Sequence, residues 1–162
     1  MEIVQQWFMA HMGFMPPQLA VMLISMLPIV ELRGGIPFAR LLMLPLQEAI
    51  FFSVLGNVIP IPFILLFIRK IFAWLRPTKT FGGLVKKLED RAMSKSDGVR
   101  HAEFWGLMIF VGIPLPGTGG WTGALIAALL HVDIKKASLA ILCGIALAAT
   151  IVGFISYGIF RL

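Results

Sequence analysis

Three charged side chains, Glu31, Arg33 and Arg40, interrupt an apolar stretch near the start of the chain, LPIVELRGGIPFAR. Inside a membrane such charges cost about 2.5 to 3.5 kcal/mol each, so they usually have a partner or a task. A carboxylate in a low-dielectric environment gains proton affinity and can couple proton movement to transport, whereas arginine suits bidentate capture of phosphate. Glu31 is therefore our candidate for proton coupling, and the two arginines are candidate substrate contacts. The alternative is a structural Glu31–Arg33 ion pair near the membrane surface, with Arg40 reaching the lipid headgroups.

A second string, GIPLPGTGGWTGALIA, has no charge but carries hydroxyl and glycine residues just before an apolar run. Backbone N–H groups at the start of a helix attract anions and polarise substrates. Close helix packing through Gly119 and Gly123 is the competing interpretation. Together with the first string, these residues form the predicted substrate-binding set: Arg33, Arg40, Gly34, Gly35, Thr118, Gly119, Gly120 and Thr122.

The sequence pattern predicts no metal site, cofactor or catalytic residue. The one cysteine, Cys143, lies in the last apolar run, and His11, His101 and His131 have no shared spacing. The net charge of +6 does not indicate nucleic-acid binding, because the basic residues cluster between apolar runs. That placement is typical of the cytoplasmic loops of membrane proteins.

The composition places the chain in a membrane. Of its 162 residues, 59% are hydrophobic and 14% are charged, and the mean hydropathy is +0.92, which is too apolar for a soluble globular domain. The opening segment carries Glu2 and no Lys or Arg before its apolar stretch, unlike a secretory signal peptide. We predict a multi-pass protein of the cytoplasmic membrane.

Two apolar runs, at residues 49–68 and 137–160, are long enough to cross a bilayer, at about 30 and 36 Å of helix. Four shorter runs reach about 15 to 18 Å each, and they lie at residues 19–30, 36–46, 104–113 and 121–130. Two half-length runs joined by a Gly/Pro-rich turn predict a re-entrant hairpin, and two kinked full helices are the alternative. The predicted breaks are Pro28, Pro37, Asn57, Pro60, Pro114 and Pro116.

These runs predict an all-α integral membrane fold, an inverted repeat in which each half pairs a re-entrant helical hairpin with one long transmembrane helix. In support, the sequence comparison matches the glycine pair at 34–35 and Gly56 with the pair at 119–120 and Gly144. The predicted single membrane domain, 1–162, comprises an amphipathic N-terminal helix at 1–15, repeat one at 16–75, a basic cytoplasmic loop at 76–103 and repeat two at 104–162.

The loop at 76–103 carries seven Lys or Arg residues against four Asp or Glu residues, which predicts a cytoplasmic location. Within it, Phe81, Leu84, Val85 and Leu88 have the i, i+3, i+4, i+7 spacing of one helical face. This spacing predicts a short amphipathic helix on the membrane surface.

At ELRGGIP (residues 31–37) and PLPGTGGWTGALIA (residues 114–127) the sequence resembles the small multidrug export protein family, over almost the whole chain. That family in turn resembles the DedA superfamily of membrane transporters. The resemblance implies an inverted-repeat fold with re-entrant hairpins, and proton-driven lipid transport such as the return of undecaprenyl phosphate across the cytoplasmic membrane. It also implies that Glu31 couples protons and that Arg33 and Arg40 contact phosphate. The second hairpin has no acidic residue or arginine, so a symmetric two-carboxylate mechanism is not expected.

The expected function is therefore proton-coupled secondary transport of an anionic amphiphile such as a lipid phosphate, by a protein that is not an enzyme. One alternative is a small multidrug exporter of hydrophobic compounds. The other is a membrane lipid phosphatase, because PGTGGWTG resembles the active-site loop of undecaprenyl diphosphate phosphatases. That loop here lacks the serine beside an arginine that phosphoryl transfer would need. The expected partners are membrane lipid, the substrate, protons and a second copy in a homodimer.

Overall fold

The computed structural model describes residues 15–78, 82–94 and 103–158, which contain helices and no β-strand. The predicted N-terminal helix, Phe81, His11, His101 and part of the basic loop lie outside the described residues. In chain order the helices are α1 Pro17–Ser25, α2 Glu31–Leu41, α3 Leu46–Val58, α4 Pro60–Leu75, α5 Gly82–Met93, α6 Glu103–Gly112, α7 Gly120–Leu129 and α8 Ile134–Gly158. The predicted all-helical class is confirmed for this part of the chain.

Two helical stretches are long and apolar enough to cross a membrane, as the sequence predicts. They are Leu46–Ile68 and Ile134–Gly158, with 23 and 25 residues. These lengths correspond to roughly 35 and 37 Å, against a hydrocarbon core of about 30 Å. The first stretch has a boundary at Ile59, where α3 ends and α4 begins with Pro60. Proline has no N–H to donate, so the predicted break at Pro60 coincides with the start of a helix. The predicted break at Asn57 is wrong, because Asn57 lies inside α3.

The first hairpin turns earlier in the chain than the sequence predicts. Its turn contains Pro28, whereas the paired glycines at 34–35 and Pro37 lie inside α2. The prediction that these residues break the helix is therefore wrong. Close packing explains why residue 35 is glycine, because a methyl group there would overlap the hydroxyl of Ser25 on α1. A side chain at this position would push α1 and α2 apart.

The second hairpin agrees with the predicted apolar runs to within one residue at each end. α6 and α7 are joined by a turn that contains Pro114 and Pro116. Gly117 and Gly119 in the same turn have φ values of 76° and 139°, a backbone region that L side chains rarely adopt. In this hairpin proline and glycine do separate the two helices.

Unit 1 is a compact part of the chain that contains α1, α2, α3 and the last part of α8. Helices α1 and α2 pack against each other, and both pack against α3. Gly56 lets α3 approach α1 closely, because a methyl group there would overlap the carbonyl of Met22. The buried apolar residues of this unit's main cluster are Ala20, Val21, Ala39, Leu42, Leu44 and Ala49.

Unit 2 contains α4 to α7 and the first part of α8. Helix α7 packs against α4, α5 and α6. Gly144 lets α8 approach α6, because a methyl group there would lie 2.7 Å from the carbonyl oxygen of Met108. The amphipathic helix predicted in the basic loop is α5, in which Val85 is buried and Leu84 is exposed.

Helices α2 and α7 end in the same way, at positions 88 residues apart. Met43 and His131 have φ values of 61° and 58°. In each case the next amide donates to a carbonyl five residues earlier, at 3.0 Å. This hydrogen bond belongs to the Schellman motif, whose left-handed position usually carries glycine. The following helices, α3 and α8, then begin three residues after Met43 and His131.

The same separation of 88 residues relates the close helix contacts of the two units. Gly56 corresponds to Gly144, as the sequence comparison proposes, and both lie against a carbonyl group of the preceding hairpin. Gly35 corresponds to Gly123, and both lie against a side chain of the first helix in their hairpin. A separation of 88 residues pairs the glycines at 34–35 with residues 122–123, whereas the sequence-based match pairs them with residues 119–120.

Candidate functional site

Glu31 is the first residue of α2 and directly follows the turn that joins α1 to α2. Its φ of 50° is left-handed, and its amide donates to the carbonyl of Leu27 at 2.9 Å. Only 4% of the residue is exposed. A charged residue that is both buried and held in an uncommon backbone conformation is a strong candidate for function.

Arg33 approaches Glu31, although residues two apart on a regular helix point in different directions. Its Nη1 lies 4.0 Å from Oε2 of Glu31. The departure from regular helix that brings the two side chains together is at Glu31 itself, which is left-handed. The sequence predicts this departure at the glycines that follow. A charge-assisted hydrogen bond is about 2.7 to 2.9 Å long, so at 4.0 Å these two atoms form an ion pair and not a direct hydrogen bond.

Arg40 lies in the last turn of α2, at the other end of the helix from Glu31. Nine residues of helix separate the two by about 13 Å. The Arg40 guanidinium lies 5.2 Å from the ring centroid of Tyr157, and a positive charge is also favourable near a helix C-terminus. The two candidate arginines therefore belong to different places, one beside Glu31 and one beside Tyr157.

Tyr157 is a site residue that the sequence analysis does not identify. Its hydroxyl donates to the carbonyl of Leu44 at 2.8 Å, across 113 residues of sequence. The ring of Tyr157 also lies against the Arg40 guanidinium. Tyr157 therefore connects the C-terminal end of α2 with α8. No local motif can reveal such a contact, and the only signal is that Tyr157 is the one tyrosine in the chain.

Three buried polar side chains lie on α1 and α3, and two of them place their hydroxyls against Gly35 of α2. They are Ser25, Ser53 and Asn57, with exposures of 0%, 0% and 1%. Their hydroxyl and amide atoms have no hydrogen-bond partner among the described residues. The sequence singles out Asn57 only as a helix break and does not select the two serines, because single serines are ordinary in membrane helices.

The predicted site residues of the second hairpin gather at the start of α7. Thr118 places its hydroxyl 2.9 Å from two carbonyl oxygens of the preceding turn, so it stabilises that turn. Gly119 precedes the helix, Gly120 is its first residue, and Thr122 is half-buried on it. The structure thus brings these four residues together around one helix N-terminus.

The chemistry available in unit 1 is that of ion pairs and proton exchange. In the described part of the chain, no group of three or more His, Cys, Asp or Glu side chains could hold a metal ion. The ionisable residues on the described helices of unit 1 are Glu31, Arg33, Arg40, Glu48 and Tyr157. A carboxylate beside an arginine can exchange its partner for a proton or for a charged ligand.

Comparison with known proteins identifies a family but no individual relative. No curated protein and no solved structure matches the chain. The family model described as "Putative small multi-drug export protein" matches residues 31–151, about three quarters of the chain. This range begins at Glu31 and contains the whole of the first candidate membrane span and 18 of the 25 residues of the second. The chain therefore belongs to the putative small multi-drug export protein family.

Proposed function

We propose that the protein is a small secondary exporter of the cytoplasmic membrane that exchanges hydrophobic compounds for protons. The observation that carries the proposal is the buried Glu31 beside Arg33, in a chain whose family is named for small multi-drug export. A buried carboxylate can take up and release a proton once in each transport cycle. On this proposal the protein is a transporter and not an enzyme.

In the proposed cycle, a proton and a hydrophobic cation compete for Glu31. Ionised Glu31 is held by Arg33 at 4.0 Å while no substrate is bound. A hydrophobic cation replaces Arg33 as the partner of the carboxylate, and protonation of Glu31 at the opposite face releases it. Because substrate and proton exclude each other on one carboxylate, the inward movement of a proton drives the outward movement of a compound.

Transport of an anionic lipid phosphate is a second candidate, and the two half-buried arginines favour it. A phosphate would bind Arg33 through the bidentate geometry that suits guanidinium groups. Glu31 would then lose its counter-charge and would favour the protonated form. Substrate and proton would bind together in this case, as the resemblance to proton-driven DedA lipid transporters implies. The two candidates therefore differ in the sign of coupling.

Re-entrant hairpins are proposed for the α1–α2 and α6–α7 pairs. The four helices contain 9, 11, 10 and 10 residues, or about 14 to 17 Å, which is half of a hydrocarbon core. The left-handed backbone at Glu31 and Gly119 then falls at the hairpin tips. Irregular backbone at that depth requires surrounding protein or water, which also suits a substrate path.

Opposite charges at matched positions support an inverted repeat. The first turn of α3 carries Glu48, which accepts a hydrogen bond from Gln18 at 2.8 Å. The first turn of α8 carries Lys136 at the matched position, and its Nζ lies 4.0 Å from Glu103. Positive charge favours the cytoplasmic side, so we assign the Lys136 end to the cytoplasm and the Glu48 end to the outside.

Proteoliposomes under an imposed pH gradient test the function. Purified protein is reconstituted, and the movement of a hydrophobic cation is compared with that of undecaprenyl phosphate. We expect the cation to move against the proton gradient and to slow when the gradient is collapsed. Movement of the lipid phosphate with the proton would instead establish the second candidate. Release of inorganic phosphate from a lipid diphosphate in the same vesicles would reject both transport proposals in favour of a phosphatase.

Thiol labelling tests the membrane arrangement. In a variant without Cys143, cysteines introduced at Ser94 and Lys135 should react with membrane-impermeant reagents only from the cytoplasmic side. Cysteines at Pro16 and Pro45 should both react only from outside. Opposite sides for the last two would mean that α1 and α2 together make one full crossing, and the re-entrant assignment would be abandoned.

A further inference from the structure

Four polar atoms inside unit 1 have no partner among the described residues although their side chains are fully buried. They are the hydroxyl oxygens of Ser25 and Ser53 and both amide atoms of Asn57. Leaving a buried polar atom without a hydrogen bond is costly, and most such atoms in folded proteins have a partner or an explanation. Three such side chains at one helix contact indicate a bound ligand.

The two hydroxyls face the same point of the backbone. A methyl group on Gly35 would overlap the hydroxyl of Ser25 and would lie 2.9 Å from that of Ser53. The two hydroxyl oxygens therefore lie close together where α1, α2 and α3 pack. Asn57 follows Ser53 by one helical turn on α3, so the two residues share a face of that helix.

The hydrogen-bonding groups of the cluster select water as the ligand. Asn57 offers an N–H donor and a carbonyl acceptor, and each hydroxyl can donate or accept. A metal cation would satisfy the oxygens but not the amide N–H, and an anion would leave the amide carbonyl without a donor. Water both donates and accepts, and a buried water makes about three hydrogen bonds.

The cluster lies next to the residue that the proposed function protonates. Glu31 precedes Gly35 by one turn of α2, about 6 Å along the helix axis. A carboxylate this deeply buried needs a polar route for its proton, because apolar side chains cannot carry one. Helix α1 has no ionisable residue. The other ionisable groups on the elements packed in this unit are Arg33 and Arg40 on α2, Glu48 on α3 and Tyr157 on α8.

We propose that Ser25, Ser53 and Asn57 hold water between α1, α2 and α3 and that this water relays protons to and from Glu31. In each transfer one O–H bond of a protonated water breaks and one O–H bond forms on the Glu31 carboxylate. The three side chains orient the water and are unchanged at the end. This inference rests on the proton exchange at Glu31 that the proposed function requires.

The test follows the protonation of Glu31 directly, with the full-length protein in liposomes. Infrared spectroscopy records the carboxylic acid C=O band that grows after a rapid drop in pH, and the part lost in Glu31→Gln belongs to Glu31. Ser25→Ala and Ser53→Ala each remove one hydroxyl and add no bulk. If one variant fails to fold, the other still tests the proposal. Ser138→Ala, which removes a half-buried hydroxyl from α8, is the matched control.

We expect the Glu31 band to grow about tenfold more slowly in Ser25→Ala and Ser53→Ala, the factor that one lost hydrogen bond can produce. Its final amplitude should be unchanged, and Ser138→Ala should behave as wild type. A lower thermal midpoint with an unchanged rate would reduce the serines to structural residues and overturn the relay. If Glu31→Gln removes no band, proton exchange at Glu31 is itself wrong and the relay is rejected with it. A Glu31 band with an unchanged rate rejects the relay alone.

Discussion

The two units share close glycine contacts 88 residues apart, at Gly35 and Gly123 and at Gly56 and Gly144, but differ in what fills the space beside them. In unit 1 Gly35 lies against two serine hydroxyls, whereas the matching Gly123 of unit 2 lies against Val111 and Ile141. Ile145, 1% exposed, occupies the position that corresponds to Asn57 in unit 1. The close contact itself therefore needs only a glycine, and the polar chemistry is an addition made in one unit.

The two units also differ in the backbone conformation at the start of the second helix of each hairpin. Glu31 has a φ of 50°, and the matching Gly119 has a φ of 139°. Glycine adopts such backbone at little cost, whereas other residues carry strain there. At the start of the second hairpin helix, unit 1 thus combines backbone strain with a buried charge, and Gly119 of unit 2 has neither.

The largest effect is expected for Glu31 in unit 1, compared with Gly119 at the matched position of unit 2. Glu31→Gln should remove the dependence of transport on the pH gradient, because a neutral amide cannot exchange a proton. The matched change in unit 2, Gly119→Ala, should keep that dependence and lower the free energy of unfolding by roughly 1 to 3 kcal/mol through backbone strain. Both variants are measured in proteoliposomes and by thermal unfolding. Normal pH dependence in Glu31→Gln would return Glu31 to a structural ion pair.

The next largest effect tests what the units share. Gly56→Ala and Gly144→Ala should each destabilise the protein by about 3 kcal/mol, the upper end of the usual cost of overpacking, because the added methyl meets a backbone carbonyl that cannot rotate away. Thermal unfolding in detergent measures both. Gly83→Ala on α5 is the control, since nothing lies within 4 Å of its new methyl. A large loss in only one of the two units would mean that the contacts are not equivalent.

A smaller effect concerns the support of Arg40, which is confined to unit 1. Tyr157→Phe removes the hydrogen bond to Leu44 and should cost about 1 kcal/mol of unfolding free energy. It keeps the aromatic ring under Arg40, so substrate affinity should change little. Tyr157→Leu removes the ring as well and should weaken substrate binding further. Equal affinities in the two variants would show that the ring does not position Arg40.

The smallest effect is a gain in stability at the shared helix ends. Met43→Gly and His131→Gly should each stabilise the protein by roughly 0.5 to 1 kcal/mol, because glycine tolerates the left-handed conformation of the Schellman motif. Both positions are exposed, so little packing is lost, but His131→Gly should gain less because it also removes the 3.1 Å contact of Nδ1 with the carbonyl oxygen of Leu129. Differential scanning fluorimetry of the two single variants and the double variant should give additive increases. A decrease in either would mean that the side chain has a contact role outside the helix end.

Local composition was enough to predict several parts of this protein. The two long apolar runs became the candidate spans, and the clustered prolines and glycines at 114–120 separated α6 from α7. These predictions succeed because hydrophobic length and the missing N–H of proline act within one segment. The glycine pair at 34–35 led to a wrong prediction of the first turn. Residue 35 is glycine because α1 packs closely against it, and this contact cannot be predicted from the local sequence.

The sequence by itself determined the membrane character, the helical class and the unusual charges of the first hairpin, because composition and hydropathy are properties of single segments. Only the tertiary structure decided that Arg40 lies beside Tyr157 and not beside Glu31, and that the hydroxyls of Ser25 and Ser53 lie against Gly35. These groupings depend on which faces of α1, α2, α3 and α8 pack together. That choice is made by close contacts such as Gly56 against Met22, which join residues far apart in the chain.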